Sequence, residues 1–190
     1  MKNINLTLPI FPLPVFLLPN GVTRLRIFEP RYLKLVKIAT TKQGFVILLN
    51  SESLPLPKII WGSWVEIINF DQDEGGVLEI DVKCKSLVRL LSIFQTDEEL
   101  QFSSISEIKH WSQKIERTQF NALSASLETV FENNKKLSGL YHHKPTNNTH
   151  WVVARWLELL PIKLEIKNTF IYDHNFQEAE NFVQSIIIKD

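Results

Sequence analysis

A chain of 190 residues, 44% hydrophobic, 22% charged and 11% aromatic, carries enough apolar mass to bury a core without a metal or a disulfide, and its composition is neither disordered nor fibrous. Its 21 basic and 21 acidic side chains cancel, which weighs against a partner held mainly through phosphates. The single cysteine, Cys84, excludes an internal disulfide and fits a reducing compartment, so the expected location is the cytoplasm.

The chain opens with Lys2 and an apolar run from Leu8 to Leu18, the outline of a secretory leader. Pro9, Pro12, Pro14 and Pro19 speak against one, because each removes a helix donor and clashes with the preceding turn. The same prolines bias their predecessors toward extended geometry, so Leu6 to Leu18 reads as an extended segment ending in a turn at Pro19-Asn20-Gly21. Thr23, Leu25 and Ile27 then alternate with Arg24 and Arg26, as in a strand with one buried and one wet face. Glu29-Pro30-Arg31-Tyr32 marks a helix start, with proline in the first turn and an acid facing the positive end of the dipole.

Further strands are expected over Gly44 to Asn50 and Ile59 to Phe70, separated by the irregular Leu54-Pro55-Leu56-Pro57. Leu78, Ile80, Val82 and Cys84 alternate with Glu79, Asp81 and Lys83 just after an acidic Gly-Gly turn, which is a hairpin pattern. After a bend near Lys85-Ser86, strands follow over Leu87 to Phe94 and Phe102 to Trp111. Beyond Trp111 the period changes: Phe120, Leu123, Leu127, Val130, Phe131 and Leu137 recur at helical spacing up to Ser138-Gly139. Three more helices are expected, one carrying Val152, Trp156 and Leu159, one over Ile162 to Ile171 and one over Phe176 to Ile188. The reading is an α+β chain, a β-rich half over 1–111 and a helical half over 112–190.

Several segments carry a family likeness. Phe11-Pro12-Leu13-Pro14-Val15-Phe16-Leu17-Leu18-Pro19-Asn20-Gly21, then Leu25-Arg26-Ile27-Phe28-Glu29-Pro30-Arg31-Tyr32, closely resembles the opening of the N-terminal domains of Lon proteases. Ile60-Trp61-Gly62-Ser63 falls where that family has a Gly-Thr pair, Val77 to Ile93 resembles its hairpin, and Ala154 to Ile162 resembles its helix junction. Where relatives carry a glycine, then Arg-Phe three positions on, this chain has Cys84 and then Leu87-Val88. The resemblance implies a β-rich pseudobarrel, similar to RNA-binding PUA folds, joined to a C-terminal helical bundle. It also implies recognition of unfolded or partner polypeptides, with a separate protease as a candidate partner.

Catalysis is not expected. None of the six glycines is followed by lysine, so there is no phosphate-cradling P-loop, and no chain is left after Asp190 for the separate Ser-Lys peptidase domain of Lon. Cys84 alternates inward with Ile80 and Val82, where a thiol is an apolar filler, and Ser63 after Gly62 lacks the second glycine of a nucleophile elbow. His142, His143 and His150 lack cysteines or carboxylates at ligand spacing, and Asp71, Asp73 and Glu74 lack the distal glutamate of a calcium loop. No metal or cofactor is expected.

For binding, aromatic and arginine side chains are the informative ones, since they dominate interface energetics. Trp61, Trp64 and Phe70 are candidate anchors on the β half, with barrel filling as the blander and favoured reading of each. Arg24, Arg26, Glu29, Arg31 and Tyr32 form a second candidate surface, read equally well as a solvated strand face beside a capped helix. The leading expectation is a polypeptide-binding module. The alternative is a nucleic-acid or modified-base reader, prompted by the PUA likeness and by no basic stripe.

Overall fold

The structure, a computed structural model, describes residues 6–41, 43–49, 60–97, 99–111 and 122–188. It divides into two compact units, 1–108 and 109–190.

In the first unit, strands β1 (Leu6–Leu13), β2 (Val22–Ile27), β3 (Phe45–Leu49), β4 (Trp61–Gln72), β5 (Leu78–Gln95) and β6 (Gln101–Ile108) form one sheet, with helix α1 (Pro30–Thr41) between β2 and β3. The strand order is β2-β5-β4-β3-β1-β6, and β6 pairs back onto β5. Five strands therefore close into a ring, and β2 flanks the first part of β5. β1 and β3 run parallel, and the other pairings are antiparallel. Closure consumes strand edges that would otherwise recruit other chains.

Period-two alternation sets the core. Leu8 and Ile10 of β1, Val46 of β3, Trp64 of β4, Val88 and Leu90 of β5 and Ile105 of β6 pack as one buried cluster. The proline-punctuated opening behaves as expected up to Leu13, then leaves the sheet. Instead of two strands divided by a bend at Lys85-Ser86, β5 is one strand of 18 residues. Trp64 pairs with Ser86 and Val65 with Cys84, so Lys85 is the extra residue of a bulge. A bulge sharpens the local twist and turns the strand around the barrel without ending it.

The second unit takes in the end of the β-rich sequence. β6 stops at Ile108 rather than running to Trp111. Trp111 Nε1 donates to the Phe170 carbonyl at 2.9 Å, and the His110 ring nitrogen Nδ1 lies 2.7 Å from the Ile171 carbonyl. Helices α2 (Ala122–Asn133), α3 (Lys135–Gly139), α4 (Thr149–Leu159), α5 (Leu164–Asn168) and α6 (Phe176–Ile187) follow, with a 3-10 turn at Asp173–Asn175. The single long helix expected to end at Ser138-Gly139 is broken at Asn134, whose side chain accepts from the Leu137 amide and caps α3. Phe120 lies outside the described residues. The helix expected over Ile162 to Ile171 is shorter, five residues long.

α4 is the axis of this unit, buried over Thr149 and Trp151 through Leu157. Asn148 caps it by accepting from the Trp151 amide at 3.0 Å. Phe131 stacks on Trp151 with ring centroids 5.9 Å apart, and Trp156 Nε1 donates to the Leu123 carbonyl at 3.1 Å. The buried Arg155 is held by a bidentate pairing with Glu158, at 2.6 and 2.7 Å.

Candidate functional site

The sequence candidates fall into three groups, each set by strand register or helix start. Leu25 pairs with Ile80 and Ile80 with Phe70, so these three side chains share one face of the β2-β5-β4 sheet. Arg24 pairs with Asp81, Arg26 with Glu79 and Asp71 with Glu79, which puts the charged residues on the other face. Period-two alternation in all three strands is responsible.

On that charged face Arg24 grips Asp81 through two parallel hydrogen bonds, 2.7 and 3.0 Å, and reaches Glu79 at 3.0 Å and Asp71 at 3.2 Å. Its pKa is raised above the usual arginine value, chiefly by the Asp81 hydrogen bond. Asn69 adds a hydrogen bond to Asp81 at 3.1 Å. Arg26 pairs with Asp73 and approaches Glu79 at 3.7 Å. Asp73 also accepts from the Gly75 and Val77 amides, at 2.9 and 2.8 Å. The Val77 amide is the main reason its carboxyl titrates below the ordinary range. The face is therefore a cross-strand ladder of compensated charge. It offers no basic stripe to a phosphate backbone.

Glu29, Arg31 and Tyr32 gather separately at the start of α1. Arg31 Nε donates to Glu29 Oε2 at 2.8 Å, and its guanidinium lies 4.8 Å from the Tyr32 ring centroid. Tyr32 in turn stacks on Phe11 of β1, centroid to centroid 4.0 Å. Partial burial raises the Tyr32 pKa. The cluster anchors the helix start to the barrel while leaving Arg31 half-exposed.

Trp61 is 9% exposed and Trp64 8%, which puts both in the core, the favoured of their two readings, and not among exposed anchors. Trp61 meets Phe16 edge-on at 5.9 Å, and Trp64 Nε1 donates to the Gln43 carbonyl at 2.9 Å while Lys85 Nζ lies 4.3 Å from the ring centroid. Both rings pack inside the fold, and the Trp64 indole N–H is satisfied there. Phe70 behaves differently. It lies 52% exposed where β4 runs past the buried part of the sheet toward the hairpin turn.

Five exposed apolar residues escape a residue-type reading. Phe28 is 73% exposed, and its parity with Arg24 and Arg26 on the wet face was the available signal. Ile68 is the residue left over at the bulge between Ile67 and Asn69. Leu91 is the residue left over at another bulge, between Leu90 and Ser92, and Ile93 and Phe94 stand exposed beyond it, where the broken alternation no longer assigns their faces. Among the described residues no cluster of three or more His, Cys, Asp or Glu side chains is placed to hold a metal. His142 and His143 are exposed, and His150 stacks on Phe176 with centroids 3.8 Å apart. Among those residues no helix is long and apolar enough to cross a membrane.

Comparison with known proteins bears on this arrangement. Residues 7–169 match the model of the ATP-dependent protease La (LON) substrate-binding domain. Among solved structures, a Lon N-terminal domain protein from Xanthomonas campestris is 26% identical, with a TM-score of 0.64 over 93% of this chain and 98% of that one. The N-terminal domain of the Mycobacterium avium complex Lon protease shares the fold, with a TM-score of 0.63 at 11% identity over 94% of this chain and 96% of that one. No curated protein matches. With a family model spanning the barrel and most of the helical unit, and a solved relative matched over nearly its whole length, the chain belongs to the Lon substrate-binding domain family.

Proposed function

We propose that this chain is a non-catalytic polypeptide-binding module of the cytoplasm, which recognises apolar segments of unfolded or partner proteins through its β half and delivers them to a separate protease. The observation that carries it is the distribution of exposed aromatics. Among the described residues every exposed phenylalanine (Phe28, Phe70 and Phe94) lies in the first unit. Rigid aromatic rings left in water are costly for a domain that has no use for them, and they supply most of the affinity where a partner covers them.

Phe70 is the proposed principal anchor of the candidate residues, and Phe28, which shares the parity of Arg24 and Arg26, is a second exposed ring on the other face. Arg24 and Arg26 hold the hairpin rigid behind Phe70, and Glu29, Arg31 and Tyr32 fix the entry to α1 beside Phe28. Trp61 and Trp64 contribute as barrel scaffold. The units expected over 1–111 and 112–190 divide the labour in this reading, recognition in the first and support in the second. The buried lone thiol Cys84 suits a reducing compartment.

Titration of an unfolded model protein into the purified chain tests the proposal. Saturable binding is expected, weakened by about tenfold or more in Phe70→Asp. Absence of binding across several unrelated unfolded clients would sink it.

A further inference from the structure

On the charged face of the β2-β5-β4 sheet and its hairpin turn, two guanidinium groups sit among five carboxylates. Arg24 is shared by Asp71, Glu79 and Asp81, Arg26 by Asp73 and Glu79, and Glu74 stands exposed in the turn. Lys83 and Glu66 lie opposite each other further along the strands and cancel. Each arginine is therefore answered more than once, and three negative charges are left over. The inner acids are spent, Asp81 on Arg24 and Asn69, Asp73 on Arg26 and two amides. Asp71 is the outer one, its side chain 53% exposed and joined to Arg24 by a single hydrogen bond of 3.2 Å.

Phe28 continues the parity of Arg24 and Arg26 along this face, and among the described residues it is the most exposed large apolar side chain. Arg26, Glu79 and Asp71 form one cross-strand row, set two residues along β2 from Phe28. At about 3.3 Å per residue along a strand and about 4.8 Å between strands, the Phe28 backbone stands roughly 12 Å from that of Asp71. A lone exposed ring is ordinary on a protein surface. One set beside a surplus of carboxylate selects by charge what can cover it.

We infer that this face docks a client segment in which an apolar side chain and a lysine or arginine lie about two to four residues apart, the first covering Phe28 and the second reaching Asp71 and Glu74. The inference rests on the polypeptide-binding reading above and names the class of client that its charged side takes. An extended segment advances about 3.4 Å per residue, and the flexible stem of a lysine supplies the rest of the span. An acidic segment or a phosphate backbone would meet like charge here and is turned away.

The test uses the full chain and three fluorescent peptides on one serine-glycine background. The first carries leucine with lysine three residues on, the second has serine in place of the leucine, and the third has glutamate in place of the lysine. The leucine-lysine peptide is expected to bind best, each replacement weakening it about fivefold or more. Phe28→Ser is expected to remove the advantage of leucine over serine, and Asp71→Asn/Glu74→Gln the advantage of lysine over glutamate while the leucine effect is kept. All three positions are exposed, so urea midpoints close to the parent's are expected of both variants. If unfolded protein binds while the peptides bind alike or not at all, the docking face is overturned and the general function stands. If neither peptide nor unfolded protein binds, both fall. Should Phe28→Ser fail to fold, the Asp71→Asn/Glu74→Gln comparison decides alone. A second copy would bring α1, with Arg31, Lys34 and Lys37, to the same face. Concentration-dependent dimers that Phe28→Ser dissolves and the leucine-lysine peptide does not would assign the face to that copy and overturn the proposal.

Discussion

Gly62 sits where β4 crosses β3 so closely that a Cβ would stand 2.5 Å from the Ile47 carbonyl oxygen and 2.6 Å from a Val46 side-chain carbon. Its neighbour Ser63 donates its hydroxyl to the Leu17 carbonyl at 2.6 Å, so the Gly-Ser pair serves close approach and polar satisfaction together. Gly62→Ala is expected to lose about 2–4 kcal/mol, because the contact is with backbone that cannot yield, and urea denaturation would measure it. His110 carries a second prediction. Burial lowers its pKa from 6.5 to about 4, with His150 and Arg155 acting in the same direction and the Ile171 carbonyl and Asp173 against it. The neutral ring belongs to the folded state, so between those two values the unfolded chain binds more protons. Stability is then level above about pH 6.5, falls as the pH drops toward about 4 and levels off again, a loss of order 3 kcal/mol. His110→Asn should flatten that part of the stability profile, read by urea midpoints across the range. What the sequence hid here is direction. Residue type named Trp61, Trp64 and Phe70 alike, and only strand register and the ends of the pairing separate two core rings from one exposed ring.

At the scale of elements, propensity and patterning located nearly every strand and helix, and the failures share a cause. The sequence of β5 reads as two strands because a bulge at Lys85 interrupts the alternation as a turn would. The break between α2 and α3 was missed because Leu137 keeps helical spacing with Phe131 while Asn134 ends one helix and caps the next. Both are places where one residue changes backbone direction while the apolar pattern continues. The caps also give a test. Asn148 begins α4, whose buried residues include Trp151, Val152, Val153 and Trp156, so fraying there propagates into the helical core. Asn148→Ala is expected to cost about 1 kcal/mol, with Asn148→Ser or Asn148→Asp restoring most of it, by thermal or urea unfolding followed through helical ellipticity. An equal loss in all three variants would place the asparagine's role elsewhere than in the cap.

For the whole molecule the decisive quantity is charge. The net charge is zero, and the arginines of β2 are answered by Asp71 of β4, Glu79 and Asp81 of β5 and Asp73 in the turn between those strands. A surface compensated in this way can attract a polypeptide by apolar burial but has few counterions to release from nucleic acid. These two modes differ in how steeply they respond to salt. Binding of an unfolded client is expected to change by no more than a few-fold between about 50 and 500 mM salt. Phosphate-dominated binding would fall by orders of magnitude across the same range. Calorimetry gives a second, independent sign, since burial of Phe70 under a client requires a negative heat-capacity change. A steep salt dependence with no heat-capacity change would point to charge as the holding force, and the aromatic surface of the β unit would then need another explanation.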